Sequence, residues 1–325
     1  MQMMTHDAAR SGVPPSGLLW ALASAASFGL SGSLARGLME AGWTSAAAVT
    51  VRLLIGAAVL VPVALVQLRG RWAVLRRNLP LVTAYGMLAV AGCQLAYFNA
   101  VAHMQVGVAL LIEFTAPVPV VLWMWLRHGQ RPGRLTLLGA LLGAAGLVLV
   151  LDLVSGAQTS TVGILWALGA MGGAAVYFVL SADGDNGLPG TVLAAAGLVI
   201  GSMVLLLAGA VGIVPMAVST APVEFVAATV PWWLPVLALG VLSGAVAYVT
   251  GIAATRRLGA RLASFVALLE LVMAMVIAWL LLSELPGAVQ ALGGVLVLVG
   301  IVVVKLGEDR QPRVVRAREG EIVGS

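Results

Sequence analysis

Apolar runs of about twenty residues follow one another along this chain between short polar breaks, the length that crosses a bilayer as a helix at about 1.5 Å rise per residue. A window of about 19 residues predicts ten helices, near 17–39, 44–68, 79–102, 107–127, 135–154, 161–182, 189–213, 232–256, 261–284 and 286–306. The breaks "MEAGWT", "RGRWAVLRRN", "RHGQRPGR", "SGAQTS", "SADGDNGLPG" and "ATRRLGAR" carry turn-forming or charged residues. The last break rests on "SELPG" alone, so a count of eight or nine helices is the competing reading. Composition agrees with membrane residence. The 325 residues are 61% hydrophobic and 10% charged, with a mean hydropathy of +1.06. Soluble domains carry about a quarter charged residues; this chain has too few to cover a water-facing surface.

The basic residues give the direction. With the N-terminus cytoplasmic, Arg10, the cluster Arg69, Arg71, Arg76 and Arg77, and then Arg127, Arg131 and Arg134 fall inside. Arg256, Arg257, Arg261, Lys305, Arg310, Arg313, Arg316 and Arg318 do so too. These are 16 of the 18 Lys and Arg; Arg36 and Arg52 lie within or at the end of spans. The outer loops hold Glu40, Asp152, Glu224 and Glu284 without a base. This is the positive-inside distribution, and moving one helix would scramble it. The "SADGDNG" loop, acidic without a base, adds nothing to it. A pI near 10.1 therefore reflects contact with anionic headgroups and argues against a nucleic-acid partner. A lone cysteine, Cys93, excludes an intrachain disulfide and suggests no metal cluster. Residues 1–16 read as a cytoplasmic segment and the first apolar run as a retained span. Residues 307–325, charged and non-periodic, read as a disordered cytoplasmic tail.

The chain repeats itself. Residues 117–150 overlay on 271–304 at an offset of 154, matching Val118, Trp125, Pro132, Gly133, Gly139 and Gly146 to Val272, Trp279, Pro286, Gly287, Gly293 and Gly300. At an offset of 146, "GLLWAL" (17–22) matches "GILWAL" (163–168). Two five-helix units, 17–154 and 161–306, follow. Five is odd, so the second unit enters the membrane from the opposite side. Inverted pairs are a common build of secondary transporters, with the site near the midplane between the halves. The expected fold is all-α: a polytopic membrane protein of ten transmembrane helices in two inverted repeats, both termini cytoplasmic. Gly139, Gly143 and Gly146 on the fifth span, and Gly169 and Gly173 on the sixth, suit close helix packing.

Charged side chains near the bilayer centre cost roughly 2.5–3.5 kcal/mol on insertion scales, so they face a partner or a wet cavity. Arg52, Glu113 and Glu270 sit about six to nine residues inside their helices, beyond easy reach of the headgroups for a carboxylate, though Arg52 can partly snorkel. Two readings stay open. Arg52 and Glu113 pair and lock helices two and four, or a carboxylate faces a central cavity and binds a proton or a substrate ammonium. Glu270 has no evident partner in its own half, because Leu198 matches Arg52, and this favours the cavity for Glu270. Gln94, Tyr97, Asn99 and His103 gather on the third helix, with Tyr248 in the equivalent region of the eighth. Tyr97 and Tyr248 suit the cavity lining, and His103 the membrane interface. Ser24, Ser27 and Ser31 share a face of the first helix and read as packing residues; Trp20, Trp43, Trp232 and Trp233 suit an aromatic belt.

No G-x-S-x-G, H-E-x-x-H, Walker A or paired-Asp pattern argues for an enzyme, an ATP-driven pump, a catalytic residue or a cofactor. The doubled unit, "TVRLLIGAAVLVPVAL" with Arg52, and the block "ATRRLGARLASFVALLELVMAMVIAWLLLSELPGAVQALGGVLVLVGIVVV" resemble the EamA-type members of the drug/metabolite transporter superfamily over nearly all of 17–306. "MQVGVALLIEFTAPVPVVLW" further resembles the amino-acid and threonine/homoserine exporter branch. Two departures stand out: Leu271 replaces a proline common after the Glu270-type residue, and Gln130 holds the first-repeat place of the acid at Glu284. The resemblance implies an inner (plasma) membrane exporter of a small metabolite, an amino acid or related amphipathic compound, acting as a monomer or homodimer. Glu270, Glu113, Arg52, Tyr97, Asn99, Gln94 and Tyr248 are the candidate binding or coupling residues. Proton coupling, uncoupled exchange and a non-transporting scaffold are the alternatives it leaves.

Overall fold

The computed structural model describes residues 15–115, 126, 133–150, 160–181, 187–250, 254 and 268–308. The helices are α1 (Pro15–Glu40), α2 (Ser45–Gln67), a short α3 (Trp72–Arg77), α4 (Leu79–His103), α5 (Val106–Glu113), α6 (Arg134–Val150), α7 (Thr161–Ser181), α8 (Gly190–Ala210), α9 (Trp233–Thr250), α10 (Leu268–Leu282) and α11 (Ala288–Glu308). Apart from α3, each covers part of an expected span. Five of them, α1, α2, α4, α8 and α9, are long and apolar enough to cross a membrane. The segments 116–125, 151–159 and 255–267, the arginines at 127, 131, 256, 257 and 261, and the expected terminal segment and tail before 15 and after 308 lie outside the described residues.

Two elements depart from the sequence reading. Helix α3, inside "RGRWAVLRRN", buries no residue and ends on Arg76 and Arg77, cations that suit the negative end of a helix dipole. A hairpin of β1 (Val223–Phe225) and β2 (Ala228–Val230) interrupts the long connection between α8 and α9, so the all-α expectation gains a small sheet. Its alternation is local and readable: Val223 is fully buried, Glu224 exposed and Phe225 half-buried. Val223 and Phe225 press on Gly37 of α1, and the amide of Val226 donates to the carbonyl of Leu281 at 3.0 Å.

The two repeats pack by exchange. Helix α6 lies along α11, and α2 along α8, each against its own counterpart. The remaining major pairs come as swapped partners: α1 with α10 and α7 with α5, α4 with α7 and α9 with α1, α2 with α9 and α8 with α4. Residue contacts follow the same rule. A Cβ on Gly139 would meet Gly300, and a Cβ on Gly146 would meet Gly293, so the offset-related pairs Gly139/Gly293 and Gly146/Gly300 exchange partners across the seam. Gly86 packs on Ile200, and its counterpart Gly240 packs on Ile55. Position rises along α6 as it falls along α11, so these counterparts run antiparallel, as an inverted pair requires and a parallel duplication forbids. Glycine backbones touch there because van der Waals contact, and not hydrophobic force, joins helices in lipid. Outward faces carry Leu65, Val66, Leu207 and Leu165, all exposed.

Both repeats also widen at one place. Tyr85–Gly92 in α4 and Ala238–Val246 in α9 are π-helical, and the 154-residue offset superposes them. Such stretches are rare and recur at functional sites. Here they lead into the polar cluster.

Candidate functional site

Five of the seven candidate residues line one cavity. Arg52 comes from α2, Gln94 and Tyr97 from α4, Glu113 from α5 and Glu270 from α10; Phe28 and Ser31 of α1 and Leu110 of α5 complete it. Gln94 and Tyr97 are three residues apart and so share a helix face. Close approach of Gly56 to Gly244 brings α2 against α9, where the Arg52 Nη2 donates to the carbonyl of Ser243 at 3.1 Å. Its Nη1 donates to the Gln94 side-chain oxygen, and the guanidinium lies 5.7 Å from the Phe98 ring centroid. Arg52 is 3% exposed and points inward, so it does not snorkel.

The expected Arg52–Glu113 ion pair is absent: among the described residues no carboxylate lies within 4.0 Å of Arg52. Neutral Gln94 and a carbonyl have taken the place of the acid. One Glu113 oxygen accepts the Cys93 thiol at 3.7 Å, while the other is buried without a partner among the described residues. The cavity thus holds two acids and one cation that are near one another but unpaired by contact. It measures about 30 Å³ at water centres, room for about two waters, far below the roughly 300–1,000 Å³ of ordinary small-molecule pockets. A solute enters only if the helices separate. A larger space of about 400 Å³ between α2 and α8 is lined by residues such as Ala47, Leu54, Leu206 and Met216, with no charged group, and offers no comparable chemistry.

Two candidates sit elsewhere. Asn99 donates to the Leu95 carbonyl and accepts the Ser45 hydroxyl at 2.9 Å, outside the lining. It is five residues past Gln94, about 140° around the helix, and so lies on another face. Tyr248 stands behind the lining, its ring edge-on to Phe28 at 5.3 Å. The serines divide. Ser24 donates to the Ala247 carbonyl and the Ser27 carbonyl accepts the Ser243 hydroxyl, which ties α1 to α9 as packing requires. Ser31 instead faces the cavity, against the packing expectation. Trp43, expected in an aromatic belt, is buried beneath the long connection, its indole donating to the Ser219 carbonyl at 2.8 Å.

A second charged cluster, missed in the sequence, closes the hairpin end. Arg36 Nε donates to Glu40 at 2.7 Å, and its Nη1 donates to the carbonyls of Val101 and Met104 at 2.6 and 3.2 Å. The same nitrogen lies 4.0 Å from Glu284, whose other oxygen accepts the Val106 amide at 2.9 Å. Glu284 is aimed by the preceding turn: Ser283 takes a left-handed φ of 56°, with the Ser283 amide on Trp279 and the Glu284 amide on Ala278. Burial pushes the Glu284 carboxyl above its usual range, partly offset by the Val106 amide and Arg36. The signal available was the i,i+4 pair Arg36–Glu40 at a helix end.

The family model of the EamA-like transporter family matches residues 15–152 and again 161–306. A solved chain titled "Crystal structure of protein" shares the fold at a TM-score of 0.58 and 21% identity, covering 91% of this chain and 99% of that one. No curated protein matches. With a family model spanning both repeats, apolar helices and a shared polar cavity, this chain belongs to the EamA-like transporter family and is a multi-pass membrane transporter of small solutes.

Proposed function

We propose that the protein exports a small metabolite, an amino acid or related amphipathic compound, across the inner (plasma) membrane by alternating access. In this reading ten helices span the bilayer, 17–154 and 161–306 are the two repeats, both termini are cytoplasmic, and the hairpin end is extracytoplasmic. The observation that carries it is the convergence of Arg52, Gln94, Tyr97, Glu113 and Glu270 on one cavity between helices of both repeats. A zwitterion finds both charges there: Arg52 for a carboxylate, the acids for an amine. Glu270 and Glu113 are the coupling groups, because neither is neutralised by a contact cation among the described residues. Antiparallel counterpart helices provide the two equivalent packings that alternating access exchanges.

Reconstitution in proteoliposomes with labelled amino acids tests this. Transport that accelerates with an imposed pH gradient and moves protons supports coupled export. A rate indifferent to the gradient, with internal pH unchanged, removes proton coupling and leaves exchange or facilitated diffusion, in which the acids only recognise the solute. No transport of any amino acid favours a scaffold or a different solute class.

A further inference from the structure

We propose that Ser31 is a specificity-determining residue of this site, forming with Glu113 and Glu270 an acceptor triad that selects a primary ammonium group. The proposal rests on the transport reading above and narrows its solute to one bearing a free –NH3+ rather than an alkylated amine.

Among the described residues, two buried polar atoms of the cavity have nothing to bond. One is the second oxygen of Glu113, on α5; the other is the hydroxyl of Ser31, on α1. Ser31 is only 4% exposed. Buried polar atoms are nearly always satisfied, and the exceptions call for a reason. The neighbouring serine on the same helix face shows the ordinary solution: Ser24 spends its hydroxyl on a carbonyl of α9. Ser31, two turns on, has no such carbonyl and looks into the cavity instead.

The identity of the missing partner follows from what is already used. The first oxygen of Glu113 is taken by Cys93, and Arg52 is held by Gln94 and the Ser243 carbonyl. Arg52 keeps N–H donors for the solute's carboxylate, and the acceptors that the lining offers beside it are the two carboxylates and the Ser31 hydroxyl. A partner that satisfies them brings positive charge and several N–H donors at one point. A primary ammonium has three, one for each group, whereas a quaternary ammonium has none. Size agrees: about 30 Å³ at water centres admits a head no larger than about two waters, and each methyl added to the nitrogen removes a donor while enlarging the head.

Hydrophobic carbodiimide labelling of Glu113 and Glu270 in the purified full-length protein, read by mass spectrometry, tests the triad. Methylammonium and tetramethylammonium chlorides serve as competing probes at equal ionic strength. Methylammonium is expected to protect at about tenfold lower concentration, the effect of one charge-assisted hydrogen bond or more. Ser31→Ala erases that preference, and Ser31→Thr, which keeps the hydroxyl, retains it. Ser33→Ala, which removes a buried unpartnered hydroxyl outside the cavity lining, leaves the preference intact. Equal protection by the two cations, protection by neither, or an unchanged profile in Ser31→Ala overturns the proposal. If that happens while amino-acid transport in proteoliposomes persists, the triad falls and the transport reading stands; if transport is absent as well, both fall.

Discussion

Arg36 and Arg52 both lie inside long helices of the bundle, and they are handled in opposite ways. Arg36 is about a quarter exposed and meets two carboxylates and two carbonyls, so charge is answered by charge. Arg52 is buried and answered by a neutral amide and a carbonyl, while Glu113 and Glu270 stand in the same cavity without touching it. A closed cluster at one end of the bundle is what structure alone requires. An open one in its middle keeps its acids available to something else. The contrast separates a clamp from a site better than the mere presence of charge does.

Removing each arginine breaks this contrast most sharply. Arg52→Met is expected to lower stability by about 1–3 kcal/mol, because Gln94 and the Ser243 carbonyl are left as buried acceptors without a donor, whereas Arg36→Met costs about 1 kcal/mol or less at its wetter location. Thermal unfolding of the purified variants measures the difference. Arg52→Lys falls between them, since an ammonium lacks the fork that reaches Gln94 and Ser243 together.

The acids come next. Glu270→Gln or Glu113→Gln is expected to slow transport about tenfold to a hundredfold, the worth of one charged hydrogen bond, with stability unchanged or raised. Glu284→Gln is expected to do the reverse, loosening the hairpin end while leaving solute recognition alone. Labelling of a cysteine placed at Ser219 reads that loosening.

The pH dependence of the clamp has a definite sign. Burial raises the Glu284 carboxyl, so between its ordinary and raised values the folded protein holds a proton that the unfolded chain has released. Acidifying into that window therefore stabilises the fold through this group, and raising pH back through it withdraws that gain. The same proton removes the charge facing Arg36. Lower pH on the hairpin side is thus expected to increase labelling at Ser219 without lowering the melting temperature, and Glu284→Gln abolishes the response. The smallest effect belongs to the turn: Ser283→Gly relieves a left-handed φ of 56° and is expected to add about 1 kcal/mol.

Much of this architecture was legible because lipid enforces it. Apolar length places helices, and the paired Gly139–Gly293 and Gly146–Gly300 positions announce both the duplication and the seam where the copies meet. Arg52, Glu113 and Glu270 were readable as cavity residues since the membrane tolerates such groups nowhere else. Who pairs with whom was not legible. Gln94 displaced Glu113 as the partner of Arg52, a matter of which side chain reaches across two helices once Gly56 and Gly244 touch. Asn99 bonds Ser45 and Leu95 instead of facing the cavity, on a helix face about 140° from Gln94. The Arg36–Glu284 contact joins segments far apart in sequence, and no local pattern joins Arg36 to Glu284. Ser31 looked like Ser24 until the neighbouring carbonyls were in place.

The central claim is that the Arg52–Glu113–Glu270 cavity opens to each side of the membrane in turn. Leu110 lines that cavity and carries no polar function, so Leu110→Cys in a Cys93→Ser background places one reporter thiol there. Modification by a small charged thiol reagent added to one face or the other of sealed vesicles gives the answer. Labelling from both faces, slowed from both by transported solute, is the predicted result; labelling from neither face, or from one face alone under every condition, contradicts it.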